Sequence, residues 1–404
     1  MSKERVLLLI LAAALFTHIM DFMIIMPLGS QFMRLFDITP QQFSFLVSSY
    51  TFSAGASGFI AAFFIDRYDR KVSLVFIYIG FTIGTLACAF APSYPVLLVT
   101  RSIAGAFGGV LGALILSIVS DAIPLERRAA GIGFVMAAFS VASVFGVPFG
   151  LYIAHLFSWH APFLFLGSLG VVINGLIFLF IPSLKVHLEG ATQHKKPIDI
   201  LKSVFGDRNP LMGLVFTSVL MFAHFSIIPF IAPYMVGNVG FSEEELTYIY
   251  LVGGGLTIFT SPWVGRLADR HGRLEVFTVF GILVMIPIFL ITHLSPVPLW
   301  QALALSGMFF ILANGRIVPS TTMVTSVISP GSRGSFMSIR SSIQQISSGL
   351  AALMAGFIIT EKAPGATATD VKILDHYDIV GYIAIVFSVV AIILARQLKV
   401  AKGA

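Results

Sequence analysis

The sequence lacks what a water-soluble fold or a disulfide-stapled domain needs. Charged residues make up only 11% of the 404 residues, whereas an average soluble domain has about 25%. Cys88 is the single cysteine, so no disulfide can form within the chain. Hydrophobic residues make up 57%, and the mean hydropathy is +0.94. This composition predicts an integral membrane protein, because most of the surface cannot face water.

Motifs that bind nucleotides or metals are also missing. No Gly-rich phosphate loop of the Walker type, no HExxH and no CxxC occurs, and no convergent nucleophile and base are visible. We therefore expect neither enzyme activity nor a cofactor. The net charge of +6 does not indicate nucleic acid as a partner, because the basic residues follow the predicted membrane topology.

Twelve apolar runs alternate with polar breaks. A spanning helix needs about 20 mostly apolar residues, and such runs are predicted near 6–28, 42–65, 72–91, 95–120, 129–156, 161–181, 210–236, 244–267, 275–293, 298–327, 335–360 and 378–396. The charged start of the first run also fits a signal peptide, but the run is long enough to span. Segment 182–209 separates an N-terminal half, 1–181, from a C-terminal half, 210–404. Within that linker, apolar residues at helical spacing over 198–205 predict an amphipathic helix on the membrane surface.

Lysine and arginine are unevenly distributed between the predicted loops. With the N-terminus in the cytoplasm, 19 of the 25 fall in inner segments and three in outer loops, namely Arg34, Lys362 and Lys372. The remaining three lie within helices. Because positively charged loops stay inside, we predict a multi-pass protein of the cell's inner (plasma) membrane with both termini cytoplasmic.

Two features of the chain recur at an offset of 203 residues. The loop Asp66-Arg67-Tyr68-Asp69-Arg70 is matched by Asp269-Arg270-His271-Gly272-Arg273. The helix starts Thr39 to Gln42 and Ser242 to Glu245 stand at the same offset, and both are predicted capping boxes. Two matched features at one offset indicate duplication. The fold class is therefore predicted as all-α, with twelve transmembrane helices in two six-helix halves related by a pseudo-twofold axis.

These residues resemble the major facilitator superfamily, and within it the twelve-helix drug/proton antiporter type, with sugar-efflux-like and multidrug-efflux-like members. The family's loop pattern, a small residue followed by Asp-Arg-x-Gly-Arg, fits fully over 265–273. In the first copy Ala62 and Asp69 replace glycines. Arg101 and Gly105 are similar to the Arg-x-x-x-Gly pattern of helix 4. The run 146–150, Gly-Val-Pro-Phe-Gly, resembles the antiporter signature of helix 5.

The resemblance implies a proton-coupled secondary transporter that exports a small amphipathic or sugar-like solute by alternating access. The proton would be the coupling ion, and membrane lipids and the solute the partners of a monomer. An importer or uniporter on the same fold stays open as an alternative. So does a lipid or lysolipid transporter, because the fold does not fix the function.

One acidic residue stands out among the nineteen. Only Asp21 lies well inside a predicted span, and ionisable residues inside a membrane are usually functional. Arg101 lies at a similar depth from the same membrane face, and His18 is one helical turn from Asp21. We predict that Asp21 takes up and releases the coupling proton, with Arg101 and His18 assisting. The alternative is a permanent ion pair that only fixes helix packing.

Other candidates follow from the motifs. The loop charges are predicted to form a cytoplasmic gate, or else serve topology alone; they are Asp66, Arg67, Arg70, Asp269, Arg270 and Arg273. The antiporter-like residues Gly146, Pro148 and Gly150 are predicted to bend helix 5, or to form a passive kink. Arg316 either binds an anionic or polar substrate group or caps a carbonyl near Pro319. The full set predicted to line a substrate cavity is Tyr50, His224, Asn314, Arg316, Ser341, Gln344 and Gln345.

Overall fold

The computed structural model describes residues 3–185, 204–328, 333–362 and 372–400. These ranges contain twelve long helices, numbered here in chain order: α1 Lys3–Ile24, α2 Pro40–Ala61, α3 Arg70–Ala89, α4 Tyr94–Ala122, α5 Leu125–Leu156, α6 His160–Phe180, α7 Arg208–Val239, α8 Glu243–His271, α9 Arg273–Thr292, α10 Leu299–Thr325, α11 Arg333–Ile358 and α12 Tyr377–Ala395. Each predicted span overlaps one of them, with ends that differ by no more than four residues. The predicted surface helix at 198–205 lies outside the described residues except for its last two positions.

Smaller elements fill the connections. A short helix, Gly29–Leu35, lies between α1 and α2, and one 3-10 turn, Ile65–Arg67, follows α2. Strands β1, Thr360–Glu361, and β2, Leu374–Asp375, pair antiparallel between α11 and α12. They are the one sheet within the described ranges.

Most of the helices have the length and composition of membrane spans. Within the part of the chain that the structure describes, nine are long and apolar enough to cross a membrane. The other three, α2, α8 and α11, have 22, 29 and 26 residues. Serine, glycine and, in α8, three glutamates make them more polar. Their lengths alone suffice to span a hydrocarbon layer.

The two predicted capping boxes both form. Gln42 N donates to Thr39 Oγ1 at 3.2 Å, and Thr39 N donates to Gln42 Oε1 at 2.9 Å. The Ser242–Glu245 pair makes the same two bonds at 3.2 and 2.9 Å. Each box satisfies two N–H groups that the first turn of a helix leaves unpaired. The positions at which α2 and α8 begin are therefore set by local sequence.

The residues group into two compact units. Unit 1 comprises Met1–Ile24 and Ser49–Pro197, and in it α1 packs on α5 and α6 while α3 packs on α4 and α6. Its core includes Leu11, Leu111 and Ile115, each 0% exposed. Apolar side chains from several helices thus surround α1, the helix that carries Asp21.

Unit 2 comprises Ile25–Ser48 and Ile198–Ala404. Here α7 packs on α11 and α12, and α9 packs on α10 and α12. These are the same four pairings as in unit 1, shifted by six helices, as expected for a duplicated chain. Residues 25–48 belong to unit 2 by contact, although the sequence boundaries assign them to the N-terminal half. Gln31 and Arg34 both bind Glu243, which holds this segment in unit 2.

Candidate functional site

Asp21 and Arg101 form a fully enclosed ion pair in unit 1. Arg101 Nη1 lies 2.8 Å from Asp21 Oδ2 and also donates to the Asp21 carbonyl oxygen at 3.2 Å. Thr85 Oγ1 in α3 donates to the other carboxylate oxygen, Oδ1, at 3.2 Å. Both charged side chains are 0% exposed. Three helices, α1, α3 and α4, thus meet at one carboxylate.

Aromatic rings line one side of this pair. The Arg101 Cζ atom lies 4.5 Å from the centre of the Tyr50 ring, a cation–π contact. The Tyr50 hydroxyl lies 3.0 Å from His18 Nδ1, and the edge of Phe81 meets the His18 ring. His18 is therefore paired with Tyr50, and Tyr50 belongs to the Asp21 cluster.

The guanidinium of Arg101 is only partly satisfied. In the described part of the molecule, Nη1 has its partners on Asp21, but Nε and Nη2 are buried without a hydrogen-bond acceptor. Leaving one partner of a buried pair without the other typically costs about 3–5 kcal/mol. Separating Asp21 from Arg101 is therefore costly, and two donors of Arg101 are left for another acceptor.

Helix α5 approaches the Asp21 helix through the glycines of the antiporter-like motif. Gly146 faces Met20, and a Cβ atom on Gly150 would lie 2.6 Å from Ile24 Cδ1. The turn Ala142–Gly146 is π-helical, and Val147 N donates to the Ala142 carbonyl. Pro148, which has no N–H, follows at once. The regular α-helical pattern of backbone hydrogen bonds is therefore interrupted in α5 where it lies beside α1.

The two copies of the loop motif differ in how they turn. Gly272 has φ +98, a left-handed value open to glycine, so α9 begins directly after α8 ends at His271. Asp69 stands at the matching position with φ −54 and caps α3 by accepting from Lys71 N at 2.9 Å. The first copy thus replaces the glycine turn by a side-chain cap.

Charges of the predicted gate occupy different surroundings. Arg70 Nε pairs with Asp121 Oδ2 at 2.9 Å, inside unit 1. Arg67, Asp269, Arg270 and Arg273 are exposed. The side chain of Asp66 lies outside the described part of the structure.

Two of the predicted cavity residues, Arg316 and His224, converge with Ser388 in unit 2, and the rest do not. Arg316 Nη1 donates to Ser388 Oγ at 2.9 Å, and Nη2 lies 3.4 Å from His224 Nδ1. Arg316 also donates to the Ala223 carbonyl at 3.2 Å, so the carbonyl it caps is in α7 and not beside Pro319. Asn314 instead donates to Ser261 in α8. On α11, Ser341 is exposed and Gln344 and Gln345 are partly buried.

Sequence reasoning missed Thr85 and Ser388, the hydroxyls that bind Asp21 and Arg316. It also missed that His224 stands 203 residues after Asp21, the same offset as the repeated motifs. That offset would have indicated that His224 occupies the position in the second half that Asp21 occupies in the first. Within the described ranges, no three His, Cys, Asp or Glu side chains group closely enough to hold a metal ion.

The chain is similar to known transport proteins over most of its length. It is 25% identical over 255 residues to the putative transporter AraJ of Escherichia coli (strain K12), covering 61% of each chain. It is 29% identical to the uncharacterized MFS-type transporter YtbD of Bacillus subtilis (strain 168), covering 62% of this chain and 60% of YtbD. The matches thus span about three fifths of these relatives. A D-xylose-proton symporter structure aligns with a TM-score of 0.78 at 16% identity, covering 99% of both chains.

The family comparison covers almost the whole sequence. The model of the Major Facilitator Superfamily matches residues 11–352 and, in a second alignment, 214–399. The second alignment begins close to the start of α7, where the repeat predicts the second half to begin. Together with the twelve helices and their paired packing, this match identifies a multi-pass membrane protein. The chain belongs to the Major Facilitator Superfamily and has its twelve-helix fold.

Proposed function

We propose that the chain is a proton-coupled antiporter that exports a small amphipathic or sugar-like solute by alternating access. It acts as a monomer in the inner membrane, with both termini cytoplasmic and the proton as coupling ion. One observation carries this proposal. Asp21 is the one acidic residue well inside a predicted span, and it is held out of water against Arg101.

The coupling would arise from two settings of Asp21. The Arg101 guanidinium favours the charged carboxylate relative to an apolar site without it, so separation of the two promotes proton uptake. A solute group that takes the donors of Arg101 would promote that separation. Solute and proton would then compete for one site, and their flows would be linked through their different affinities for each state.

Movement of α5 offers a route to that separation. The π-helical turn Ala142–Gly146 and Pro148 form a weak point in α5. Gly146 and Gly150 contact Met20 and Ile24, which lie on either side of Asp21 in α1. A change in the bend of α5 would therefore shift α1 and its carboxylate.

Two sets of charged contacts would control access. On the predicted outer side, Arg34 Nη2 pairs with Glu243 Oε1 at 2.8 Å, and Lys372 Nζ pairs with Asp37 at 2.9 Å and Glu361 at 3.1 Å. These contacts would have to break when that side opens. On the predicted inner side, the motif charges, Asp66, Arg67, Asp269 and Arg270 among them, would close the opposite entrance.

The test uses purified protein in liposomes that enclose a pH-sensitive dye. A panel of sugars and amphipathic amines is added, and proton movement and solute uptake are followed together. We expect one solute class to drive protons in the opposite direction. Asp21→Asn should abolish accumulation against a gradient, whereas Glu126→Gln, a change at an exposed carboxylate in α5, should not. Accumulation at the normal rate by Asp21→Asn would show that Asp21 is a packing ion.

A second candidate function, transport of a lipid or lysolipid, is favoured by a groove in unit 2. An apolar groove of about 380 Å³ lies between α8 and α10, lined by Val252, Leu256, Gly307 and Met308 among others. Its lining suits an acyl chain. Export of a fluorescent lysolipid from the same liposomes, without any proton movement, would favour this function. Solute and proton movement in the same direction would indicate an importer, and solute movement alone a uniporter.

A further inference from the structure

Arg316 in α10 is a buried cation whose partners are all uncharged. It is 1% exposed, and its hydrogen bonds go to Ser388 Oγ, the Ala223 carbonyl and His224 Nδ1. Its Nε atom is buried without an acceptor in the described structure. Within these ranges no carboxylate lies at ion-pair distance from it. The sequence of the C-terminal half has no acidic residue well inside a span.

An unpaired charge in such a place is unfavourable. Buried charges in proteins are normally paired, because removing them from water costs far more than a neutral hydrogen bond returns. The three acceptors around Arg316 direct its donors but supply no negative charge. The site therefore has a fixed positive charge and a donor without an acceptor.

Comparison with the N-terminal half shows which group is missing beside Arg316. In unit 1 the carboxylate of Asp21, in α1, faces an arginine of α4. In unit 2 the residue 203 positions later, His224 in α7, faces Arg316 of α10. The first site is charge-neutral, whereas the second has the arginine without the carboxylate.

A second arginine adds to the positive charge along α7. Arg340 of α11 is 8% exposed and donates to Thr217 Oγ1 at 3.4 Å. Thr217 lies six residues before Ala223, about 9 Å along the helix at 1.5 Å per residue. No carboxylate pairs with Arg340 in the described ranges either. Two cations thus flank α7 in the interior of unit 2.

We propose that unit 2 binds an anionic group, a carboxylate or a phosphate, at Arg316. This inference rests on the proposed function, because it assigns an acidic group to the transported solute. Phe309 stacks near His224 with ring centres 6.5 Å apart, and Phe222 and Phe387 stack at 5.0 Å. These rings supply an apolar wall beside the charge, so the solute is an amphipathic organic anion. Because Arg316 is enclosed, the ligand reaches it only after these side chains move.

The experiment compares two probes that differ only in charge. Binding of 2-naphthoate and of its neutral amide, 2-naphthamide, is measured by equilibrium dialysis on the full-length protein in detergent. We expect the carboxylate to bind at least tenfold more tightly than the amide, with the preference kept at high salt because a buried charge is poorly screened. Arg316→Gln should reduce the ratio to about one, and Arg316→Lys should restore part of it.

Controls separate anion binding from an anchoring role. Ser388→Ala removes one hydrogen bond of Arg316 but leaves the charge, so it should keep most of the preference. If Arg316 only anchors helices, Arg316→Gln and Ser388→Ala will both lower the thermal stability while the binding ratio stays the same. That result overturns the proposal. The proposal is also overturned if the wild-type protein binds 2-naphthoate no more tightly than 2-naphthamide. This second measurement tests the proposal even if Arg316→Gln does not fold.

A further arm identifies the source of the anion. Phosphatidylglycerol is added as a competitor, with phosphatidylcholine as the neutral-headgroup control. Displacement of 2-naphthoate by phosphatidylglycerol alone assigns the site to a lipid headgroup; resistance to both assigns it to a dissolved solute. No proton gradient is present in these measurements. If the liposome measurements show no proton antiport but the carboxylate still binds more tightly than the amide, the proposed antiport is contradicted and the anion site at Arg316 is still supported.

Discussion

Gly105 of α4 packs directly on the backbone of Tyr50 in α2, so that a Cβ atom at position 105 would clash with the Tyr50 carbonyl oxygen. One turn later, Gly109 makes the same close approach to Ala54. This contact brings the Tyr50 ring against Arg101, where it lies 4.5 Å from the guanidinium carbon. The geometry of the charged site thus depends on how closely two helices pack.

We expect Gly105→Ala to destabilise the protein by about 1–3 kcal/mol, the usual effect of overpacking a filled interior. The new methyl group meets backbone atoms, which cannot rotate away. Gly112→Ala is the matched control, because nothing lies within 4 Å of a Cβ atom there. Thermal unfolding in detergent measures both. Equal melting temperatures for the two variants would mean that α2 and α4 separate easily.

The sequence predicted two kinds of feature: helix starts, which depend on a few neighbouring residues, and the pairing of charges inside the membrane. Thr39 and Ser242 marked helix starts because a capping box is a local pattern. Asp21 and Arg101 were paired because a buried charge needs a partner. Their roles in transport stay predictions.

The hydroxyl partners were not predictable in the same way. Serine and threonine within a span often bond to their own helix, as Thr82 does to the Tyr78 carbonyl at 2.8 Å. Nothing in the sequence indicates that Thr85 and Ser388 instead bind a charged side chain. The grouping of 25–48 with unit 2 was missed as well, because it rests on contacts such as Gln31 to Glu243, more than 200 residues apart.

The Asp69 cap provides a test of pH dependence. Partial burial raises the pKa of Asp69, but hydrogen bonds from Ser183 and from the backbone of Leu184 and Lys71, with the charge of Lys185, lower it below its ordinary 3.8. The stabilisation from this carboxylate is therefore present above pH 3.8 and is lost as the pH falls through the lowered value. Asp69→Ala should cost about 1 kcal/mol at neutral pH.

Thermal unfolding of the wild type and of Asp69→Ala at several pH values measures this effect. The difference in melting temperature should shrink as the medium becomes more acidic than pH 3.8. Ser183→Ala, which removes one of the hydrogen bonds, should show a smaller difference with the same trend. A difference that stays constant from neutral to acidic pH would mean that the carboxylate charge plays no part.

Lys372 should hold the connection between α1 and α2 in place. It pairs with Asp37 and Glu361 and donates to the Ile38 carbonyl at 3.1 Å. Partial burial lowers its pKa, but the two carboxylates raise it above the ordinary 10.5, so the positive charge persists at neutral pH. We expect Lys372→Met to speed amide hydrogen exchange over 34–38 severalfold. Global stability should fall by less than about 1 kcal/mol, as for other exposed ion pairs.

Hydrogen exchange followed by mass spectrometry measures the change at 34–38 directly. Lys362→Met is the control, because Lys362 is an exposed lysine on the same β1–β2 connection. Unchanged exchange in the Lys372 variant, or equal acceleration in both variants, would argue against a specific role for Lys372.

The last prediction concerns Asp269 at the end of α8. Its carboxylate is exposed on the final turn, and its counterpart Asp66 stands 203 residues earlier. If each rests on the N-terminus of a helix when the cytoplasmic side is closed, the contact is worth about 0.3–1 kcal/mol. Asp269→Asn should then shift the ratio of closed to inward-open molecules by about two- to fivefold, since 1.4 kcal/mol corresponds to a factor of ten. Spin labels on the inner ends of α2 and α8 report this ratio as a distance distribution. Glu126→Gln should leave the distribution as it is. If Asp269→Asn also leaves it unchanged, the motif charges serve topology, and the gate must be sought elsewhere.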